Sequence, residues 1–418
     1  MHQTPAASGE AGAKRAPQGQ ADIIVGIASY NNSKTIGHVV NAVDAGLGKY
    51  FPRERSVIIN SDGGSTDSTP DAVLKATLDH KAIFLPHRLT AINRISTPYH
   101  GIPGKGSAFR AIFSSALSLG AKACCVVDAD LRSITPEWIE LLIAPVLNEG
   151  FDFVAPLYSR HRYDGTITNS IIYPVTRALY GRKIRQPIGG EFGFSGRMAG
   201  FYLAQDVWQT DVARFGIDIW MTTEALANRF KVCQSYLGAK IHDPKDPGAD
   251  LREMFVQVVG SLFSLTEKHY REWKEIRDAS DVPTFGFKYS VGVVPVKADM
   301  GRMLADFRVG VSNLKEVWER FIARDIIDAL EEISQKDTHG FRFPKALWAR
   351  IVYDFILASC HRKLPEEHLL KSLLPLYFGR TASFFLEVAE MSDDEAEDEV
   401  ERVCEEYERQ KGYLLERW

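Results

Sequence analysis

The sequence predicts an α/β fold, a mainly parallel Rossmann-like sheet flanked by helices and followed by a helical C-terminal region. Three observations predict it. Short apolar runs alternate with stretches of helical periodicity over the first half of the chain. Each run ends in a polar cluster, at residues 29–32, 60–68 and 128–133. From about residue 250 onward the strand-like runs stop and helical spacing takes over.

The elements follow in order. Residues 1–20 are rich in Ala, Gly, Gln and Pro and read as a disordered tail. Ala21–Tyr30 is an apolar, β-branched run and so a buried strand. Asn31–Thr35 leads into a helix through Ile36, Val39, Val40 and Val43, with Asn32 or Ser33 as its cap. Ser56–Asn60 is the next strand, Asp62–Ser68 a turn, and a helix runs through Ala72–Ala76. Ala82–Leu85 reads as a short strand, Ser107–Leu119 as a helix and Ala123–Val127 as another buried strand. Val232–Leu237 is strand-like. Met254–Leu265, 311–335, 344–362, 365–377 and 382–415 read as helices, the acidic stretch 392–407 being a solvated face. Alternation of this kind implies right-handed βαβ units, which bind ligands beyond the carboxyl ends of their strands.

Composition excludes several classes. With 418 residues, 45% hydrophobic and 25% charged, the chain is an ordinary globular one with ample core. A net charge of −4 argues against a general nucleic-acid or anionic-membrane binder. Five scattered cysteines lack zinc or redox spacing and read as structural thiols of a reducing compartment. No apolar stretch reaches the roughly 18 residues of a membrane span, and a cytoplasmic enzyme is expected. The extra C-terminal helices offer a surface for a homodimer.

The chemistry centres on Asp128-Ala129-Asp130. Two carboxylates at i and i+2 after a strand can converge on a divalent ion, and hard oxygens suit Mg²⁺ or Mn²⁺. A turn or cap would look the same. Gly101–Ser107 opens a helix with Lys105 among three glycines, an arrangement suited to phosphate, although the Walker A spacing is absent. No GxGxxG follows the first strand, which excludes a nicotinamide cofactor. Asp62 heads an Asp-Gly-Gly-Ser-Thr-Asp run that is either a ribose or base ligand or a plain turn. Glu191 follows two glycines, and Asp218 opens an apolar helix as a cap or a ligand carboxylate. Seven basic residues lie between Arg160 and Arg185, which suits an acidic acceptor or a solvated surface.

Taken together these blocks resemble the retaining GT-A glycosyltransferases that make glucosyl- or mannosylglycerate and their phosphoglycerate counterparts. The matching blocks are Ile27–Asn31, Asp62–Asp67, Pro103–Gly106, Asp128–Asp130, Gln186–Glu191, Gly216–Asp218 and Ala239–His242, in family order. The resemblance implies a GT-A domain over 21–265, with a mixed, mainly parallel nucleotide-sugar-binding sheet, and a helical region over 266–418. It implies that Asp130 and His242, with Asp128, ligate the metal. It implies that Ala28, Tyr30, Asp62, Lys105, Asp128 and Ala129 line the nucleotide pocket. Asp130, Glu191 and Asp218 would be catalytic, with Glu191 and Asp218 on the transferred sugar. Thr176 and Arg177, with Asp218, would meet the acceptor. The donor would be UDP-glucose, GDP-glucose or GDP-mannose, and the acceptor glycerate or 3-phosphoglycerate. The family's glycine-rich run before its acceptor residues is missing here, which favours free glycerate or another hydroxy acid. Two alternatives stay open: an inverting GT-A transferase acting on a lipid or polysaccharide, and a sugar nucleotidyltransferase.

Overall fold

The computed structural model describes residues 20–76, 93–98, 102–241, 250–288 and 299–418. The first strands are β1 (Ile23–Ser29), β2 (Ser56–Asp62), β3 (Asn93–Pro98) and β4 (Ala123–Asp128). Between them lie α1 (Ile36–Tyr50), α2 (Thr69–Lys75) and α3 (Lys105–Leu119). After α4 (Pro136–Glu149) come β5 (Phe153–Ser159), a π-helical turn at Thr168–Ile172, α5 (Tyr173–Tyr180) and β6 (Phe192–Ser195). Then follow α6 (Gly196–Leu203), α7 (Ile217–Ala227) and β7 (Val232–Ala239). The remainder is α8 (Asp250–Lys268), α9 (Tyr270–Trp273), β8 (Thr284–Phe285), α10 (Met300–Trp318), α11 (Arg324–Ser334), α12 (Lys345–Cys360), α13 (Glu366–Glu387) and α14 (Asp393–Arg417).

The strands form one sheet in the order β3-β2-β1-β4-β6-β5-β7-β8. Every pairing is parallel except those of β6, which runs against β4 and β5. This is the expected class, a mixed and mainly parallel sheet flanked by helices with a helical C-terminal region. The pleat explains why the runs are continuously apolar. Ile23, Val25 and Ile27 face α1 and α4 in one core, and Ile24 with Val57, Ile59, Cys124 and Val126 faces α3 in the other. All five cysteines are free, and Cys124 and Cys125 are buried in β4 as expected.

Several boundaries differ from the sequence reading. The third strand is Asn93–Pro98, while Ala82–Leu85 lies outside the described residues, as does nearly all of the N-terminal tail. Thr35, not Asn32 or Ser33, stands at the cap position of α1 and makes no side-chain cap bond, while the Asn32 carbonyl accepts from the Thr35 and Ile36 amides. The stretch 311–335 is two helices broken at 319–323. α13 runs on through Pro375 to Glu387, and the break falls at Ser392, where a reciprocal Ser392–Glu395 capping box starts α14. β8 joins the sheet beyond residue 265, and one apolar core runs from α3 and α7 through Phe255 and Trp273 to Trp348, Tyr377 and Tyr407. The helical region is therefore packed into the same body as the sheet. Among the described residues, no helix is long and apolar enough to cross a membrane.

Candidate active site

The chain runs outward from β1 through β2 to β3, then crosses back to β4 on the other side of β1. Such a switch in strand order opens a crevice at the carboxyl edge of the sheet. Ala28 pairs with Asp128 across this switch. The ends of β5 and β7, the start of β6 and the amino ends of α3 and α7 meet at the same edge.

The loop after β1 is knitted to the turn after β2. Asn31 adopts a positive φ of 53° and its amide donates to Ser65 Oγ at 2.8 Å, while its Oδ1 accepts from the Thr66 amide at 2.9 Å. The Asn32 amide donates to Thr69 Oγ1 and the Ser33 amide to Asp67. Thr35 Oγ1 donates to the Ala129 carbonyl at 2.9 Å, fixing the Asp128–Asp130 turn against the first loop. Tyr30 stands 61% exposed beside it, a large ring left in solvent.

Asp62 is consumed locally. Its carboxylate accepts from the Gly64 and Ser65 amides at 3.0 and 2.8 Å and from the Ser65 and Ser29 hydroxyls at 2.6 and 3.1 Å. Those four bonds fill a carboxylate's acceptor capacity. Asp62 thereby ties the turn after β2 to the end of β1.

The centre is a cluster of five charged side chains. Lys105 Nζ lies 2.9 Å from Asp128 Oδ1 and 3.1 Å from Asp218 Oδ2. Lys240 Nζ lies 2.9 Å from Asp128 Oδ2, 2.9 Å from both oxygens of Glu191 and 2.8 Å from the Gly189 carbonyl. The Tyr158 hydroxyl donates to Glu191 Oε2. Asp218 Oδ1 is buried without a hydrogen-bond partner. A buried carboxylate oxygen in that condition is costly unless a ligand meets it.

Burial and mutual charge set the protonation states. Burial alone would lower the Lys105 ammonium, but Asp128, Asp218 and Glu191 outweigh it and hold it well above the usual lysine range. Burial pushes the Glu191 carboxyl up to about 7, with Lys240 opposing and Asp128 adding to the rise. Asp218 is likewise raised by burial, against the pull of Lys105. Three carboxylates face two ammonium groups, so the buried acids do not all ionise at no cost.

The predicted residues divide on this geometry. Lys105, Asp128, Glu191 and Asp218 come together. Ala28 and Ala129 line the same switch point, and Asp130 sits partly buried one turn on. Asp218 lies in the first turn of α7 and caps nothing. Both oxygens of Asp128 lie beside ammonium groups, Lys105 at one and Lys240 at the other. His242 lies outside the described residues. The Ile241 amide donates to Ser133 Oγ and the Arg132 amide to the Ile241 carbonyl, so β7 ends against the turn that carries Asp130. Among the described residues, no three His, Cys, Asp or Glu side chains are grouped to hold a metal.

Thr176 and Arg177 are not brought to the site. Thr176 Oγ1 donates to the carbonyls of Ile172 and Tyr173 in its own helix. Arg177 is buried under α14 against Glu401 and Glu408. Arg185 pairs there with Glu397. Part of the basic stretch is a dock for the acidic one, and 392–407 is solvated on one side only, with Asp394, Glu395, Asp398 and Glu405 exposed. Arg160 is different. It donates to Gln186 Oε1 at 3.1 Å and to Asp164 at 2.9 Å, and its guanidinium lies 5.4 Å from the Tyr158 ring, at the edge of the cluster.

The glycines before α3 also have another cause. A Cβ on Gly106 would sit 1.8 Å from the Val212 carbonyl, and one on Gly104 would sit 2.6 Å from that of Ala213. The Gly106 amide donates to the Arg214 carbonyl. Close packing of residues 212–214 requires these glycines, and that packing aims Lys105 at Asp128 and Asp218. Tyr158, Lys240 and Gly190 are the residues the sequence reading left without a role. Lys240 stood inside the Ala239–His242 block, two positions before His242, and a lysine beside expected metal ligands was the available signal.

No protein-family model matches the sequence, and no curated protein is similar to it. Among solved structures the chain is similar to glucosyl-3-phosphoglycerate synthase from Mycobacterium tuberculosis. The complex with Mn²⁺, UDP and glucosyl-3-phosphoglycerate is 21% identical with a TM-score of 0.43, over 59% of this chain and 80% of that one. The complex with Mn²⁺, UDP-glucose and phosphoglyceric acid gives 21% and 0.43 over 59% and 79%. The complex with Mg²⁺ and UDP gives the same figures. At TM-scores this low the likeness carries no assignment.

Proposed function

We propose that this chain is a glycosyltransferase that moves glucose or mannose from a nucleotide sugar to a small hydroxy acid of the glycerate type. The observation that carries the reading is the Lys105–Asp128–Lys240–Glu191–Asp218 cluster at the switch point, with Asp218 Oδ1 left open. A nucleotide-sugar donor has two demands. Its diphosphate needs cations as it departs, and its sugar hydroxyls need acceptors. Lys105 is an ammonium group at the amino end of α3, and Asp218 Oδ1 is an acceptor awaiting a donor. Tyr30, exposed at the end of β1, supplies a ring for a nucleobase.

Asp130 and His242 would hold Mg²⁺ or Mn²⁺, a donor set that suits a hard divalent ion completed by oxygen ligands. When bound, the ion neutralises charge on the diphosphate. The chain's own contribution is orientation and electrostatics in a site shielded from water. Lys105 offers charge to the leaving diphosphate, Asp218 holds the sugar, and no further base is needed if a donor phosphate oxygen takes the acceptor proton. With Thr176 bonded within its own helix and Arg177 committed to α14, Arg160 is the guanidinium at the cluster's edge for an acceptor carboxylate. Its planar donors match that group.

A second reading has one observation in its favour. Burial raises Asp218 and leaves an oxygen open, which suits a general base in an inverting transferase. The anomeric configuration of the product separates the two.

The test is a screen of UDP-glucose, GDP-glucose and GDP-mannose against D-glycerate and 3-phosphoglycerate, with Mg²⁺ or Mn²⁺ and with EDTA. Metal-dependent release of nucleoside diphosphate that requires one acid acceptor is the expected outcome. Pyrophosphate release from a nucleoside triphosphate and sugar phosphate would replace this reading with a nucleotidyltransferase.

A further inference from the structure

We propose that Glu191 is an internal anchor and not a sugar ligand. It fixes Lys240, and through Lys240 the Asp128 carboxylate and the Gly189–Gly190 backbone, so that Asp218 is the carboxylate the donor sugar meets. This rests on the transfer reading above and reverses the role the family resemblance gives to Glu191.

Glu191 is fully buried, and both its oxygens are occupied. Lys240 Nζ reaches each at 2.9 Å, and the Tyr158 hydroxyl takes Oε2 as well. An ammonium has three N–H groups. Lys240 spends them in three directions, toward Glu191, toward Asp128 Oδ2 at 2.9 Å and toward the Gly189 carbonyl at 2.8 Å. Lys240 is therefore saturated inside the protein, with its side chain 8% exposed. The backbone is shaped to admit this arrangement. Gly190 has φ of +95°, and a Cβ there would lie 2.8 Å from Asp128 Oδ2, 2.9 Å from Lys240 Nζ and 3.3 Å from Lys105 Nζ. Two ammonium groups and a carboxylate converge on the spot a side chain would fill.

Asp218 shows the reverse. One oxygen is held by Lys105 at 3.1 Å, and the other has no partner. Within one cluster, then, each Glu191 oxygen already has an internal partner, while one Asp218 oxygen has none. Glu191 and Lys240 are positioning residues: they set the placement of Asp128, which in turn holds Lys105 from its Oδ1 side.

The experiment compares binding of UDP-glucose with that of UDP in the presence of Mn²⁺, or of the guanine donor and GDP if the wild type uses that pair. The ratio of the two dissociation constants isolates the sugar's share of affinity. Asp218→Asn should reduce that ratio by about tenfold, the scale of one charged hydrogen bond. Glu191→Gln should leave the ratio and the donor KM within about twofold while kcat falls about tenfold. Loss of the ratio in Glu191→Gln, or an unchanged ratio in Asp218→Asn, overturns the proposal. A ligand-free readout decides it separately. Lys240→Met alone strands a buried carboxylate and should lower Tm by on the order of 10 °C, and Lys240→Met combined with Glu191→Gln should recover most of that. A double variant that melts no higher than Lys240→Met overturns the anchor. If the wild type binds no nucleotide sugar at all, the transfer reading falls, while the melting comparison still judges the anchor.

Discussion

Two of the buried charge networks among the described residues are built differently. In one, Arg177 and Arg185 under α14 meet Glu401, Glu408 and Glu397, whose carboxylates reach the surface. In the other, Lys105 and Lys240 meet Asp128, Glu191 and Asp218 at the strand ends, with no side chain more than 24% exposed. In the first network each carboxylate is bonded to a guanidinium, and the one buried atom left without a partner is a donor, Arg185 Nη1. The second has the same balance of three carboxylates to two cations, but the atom it leaves without a partner is an acceptor, Asp218 Oδ1. What separates them is place and chemistry: the open acceptor of the second stands at the carboxyl edge of the sheet, where ligands of such folds bind.

The largest effects should fall on the second network. Asp130→Asn, His242→Ala and Lys105→Met should each lower kcat/KM by roughly 10²–10³, the scale of losing one preorganised electrostatic contact. Steady-state rates with the donor and acceptor found in the screen measure this. Normal rates in both Asp130→Asn and His242→Ala with metal present would remove the metal assignment. Arg177→Met should do the opposite. It should leave kcat/KM within about threefold and cost about 2 kcal/mol of stability by urea unfolding, less than the roughly 3–5 kcal/mol of a fully buried pair because Glu401 and Glu408 keep some solvent. A large KM rise for the acid acceptor in Arg177→Met would erase the contrast and restore that arginine to the acceptor site.

Gly190→Ala is a smaller and sharper test. The positive φ imposes strain of about 1–3 kcal/mol on any side chain, and the methyl group would press on both ammonium groups. A fall in kcat beyond what the stability loss explains is expected at working temperature. Equal loss of stability and activity would make Gly190 a backbone residue only.

The two networks were not equally legible in the sequence. β1, β2, β4 and β7 were readable because they are buried on both faces and mostly apolar, while the central strands β5 and β6 went unnamed. The strand-end clusters followed from that, and Lys105, Asp128, Glu191 and Asp218 do meet there. β3 was not readable, since Asn93-Arg-Ile-Ser-Thr-Pro98 is a polar edge strand with one large apolar side chain. The α5–α14 pairing was invisible for another reason. A basic run and an acidic run more than 200 positions apart each look like solvated surface until the fold opposes them. Lys240 failed to stand out because a single lysine has no pattern, and only its contacts reveal that its three donors are spent internally.

Acidity gives the last comparison, and here the networks should have opposite slopes. Burial holds the Glu191 carboxyl at about 7, against 4.5 for an ordinary glutamate, so the native chain keeps a proton that the unfolded chain has released. Where the native state binds more protons, stability falls as pH rises. The contribution of Glu191 is thus fully present below about 4.5 and is lost as pH climbs through about 7. For Glu397, burial opposes ionisation but Arg185 outweighs it and holds the carboxyl below its ordinary value. Its contribution is present above the unfolded value and is lost as pH falls. Urea midpoints taken near pH 5 and near pH 7.5 should therefore differ less in Glu191→Gln than in the wild type, while midpoints taken at about pH 4 and about pH 5 should converge in Glu397→Gln. If Glu191→Gln keeps the wild-type slope between about pH 5 and about pH 7.5, the proton is held elsewhere in the cluster. Asp218, raised by the same burial, would then be the group to replace next.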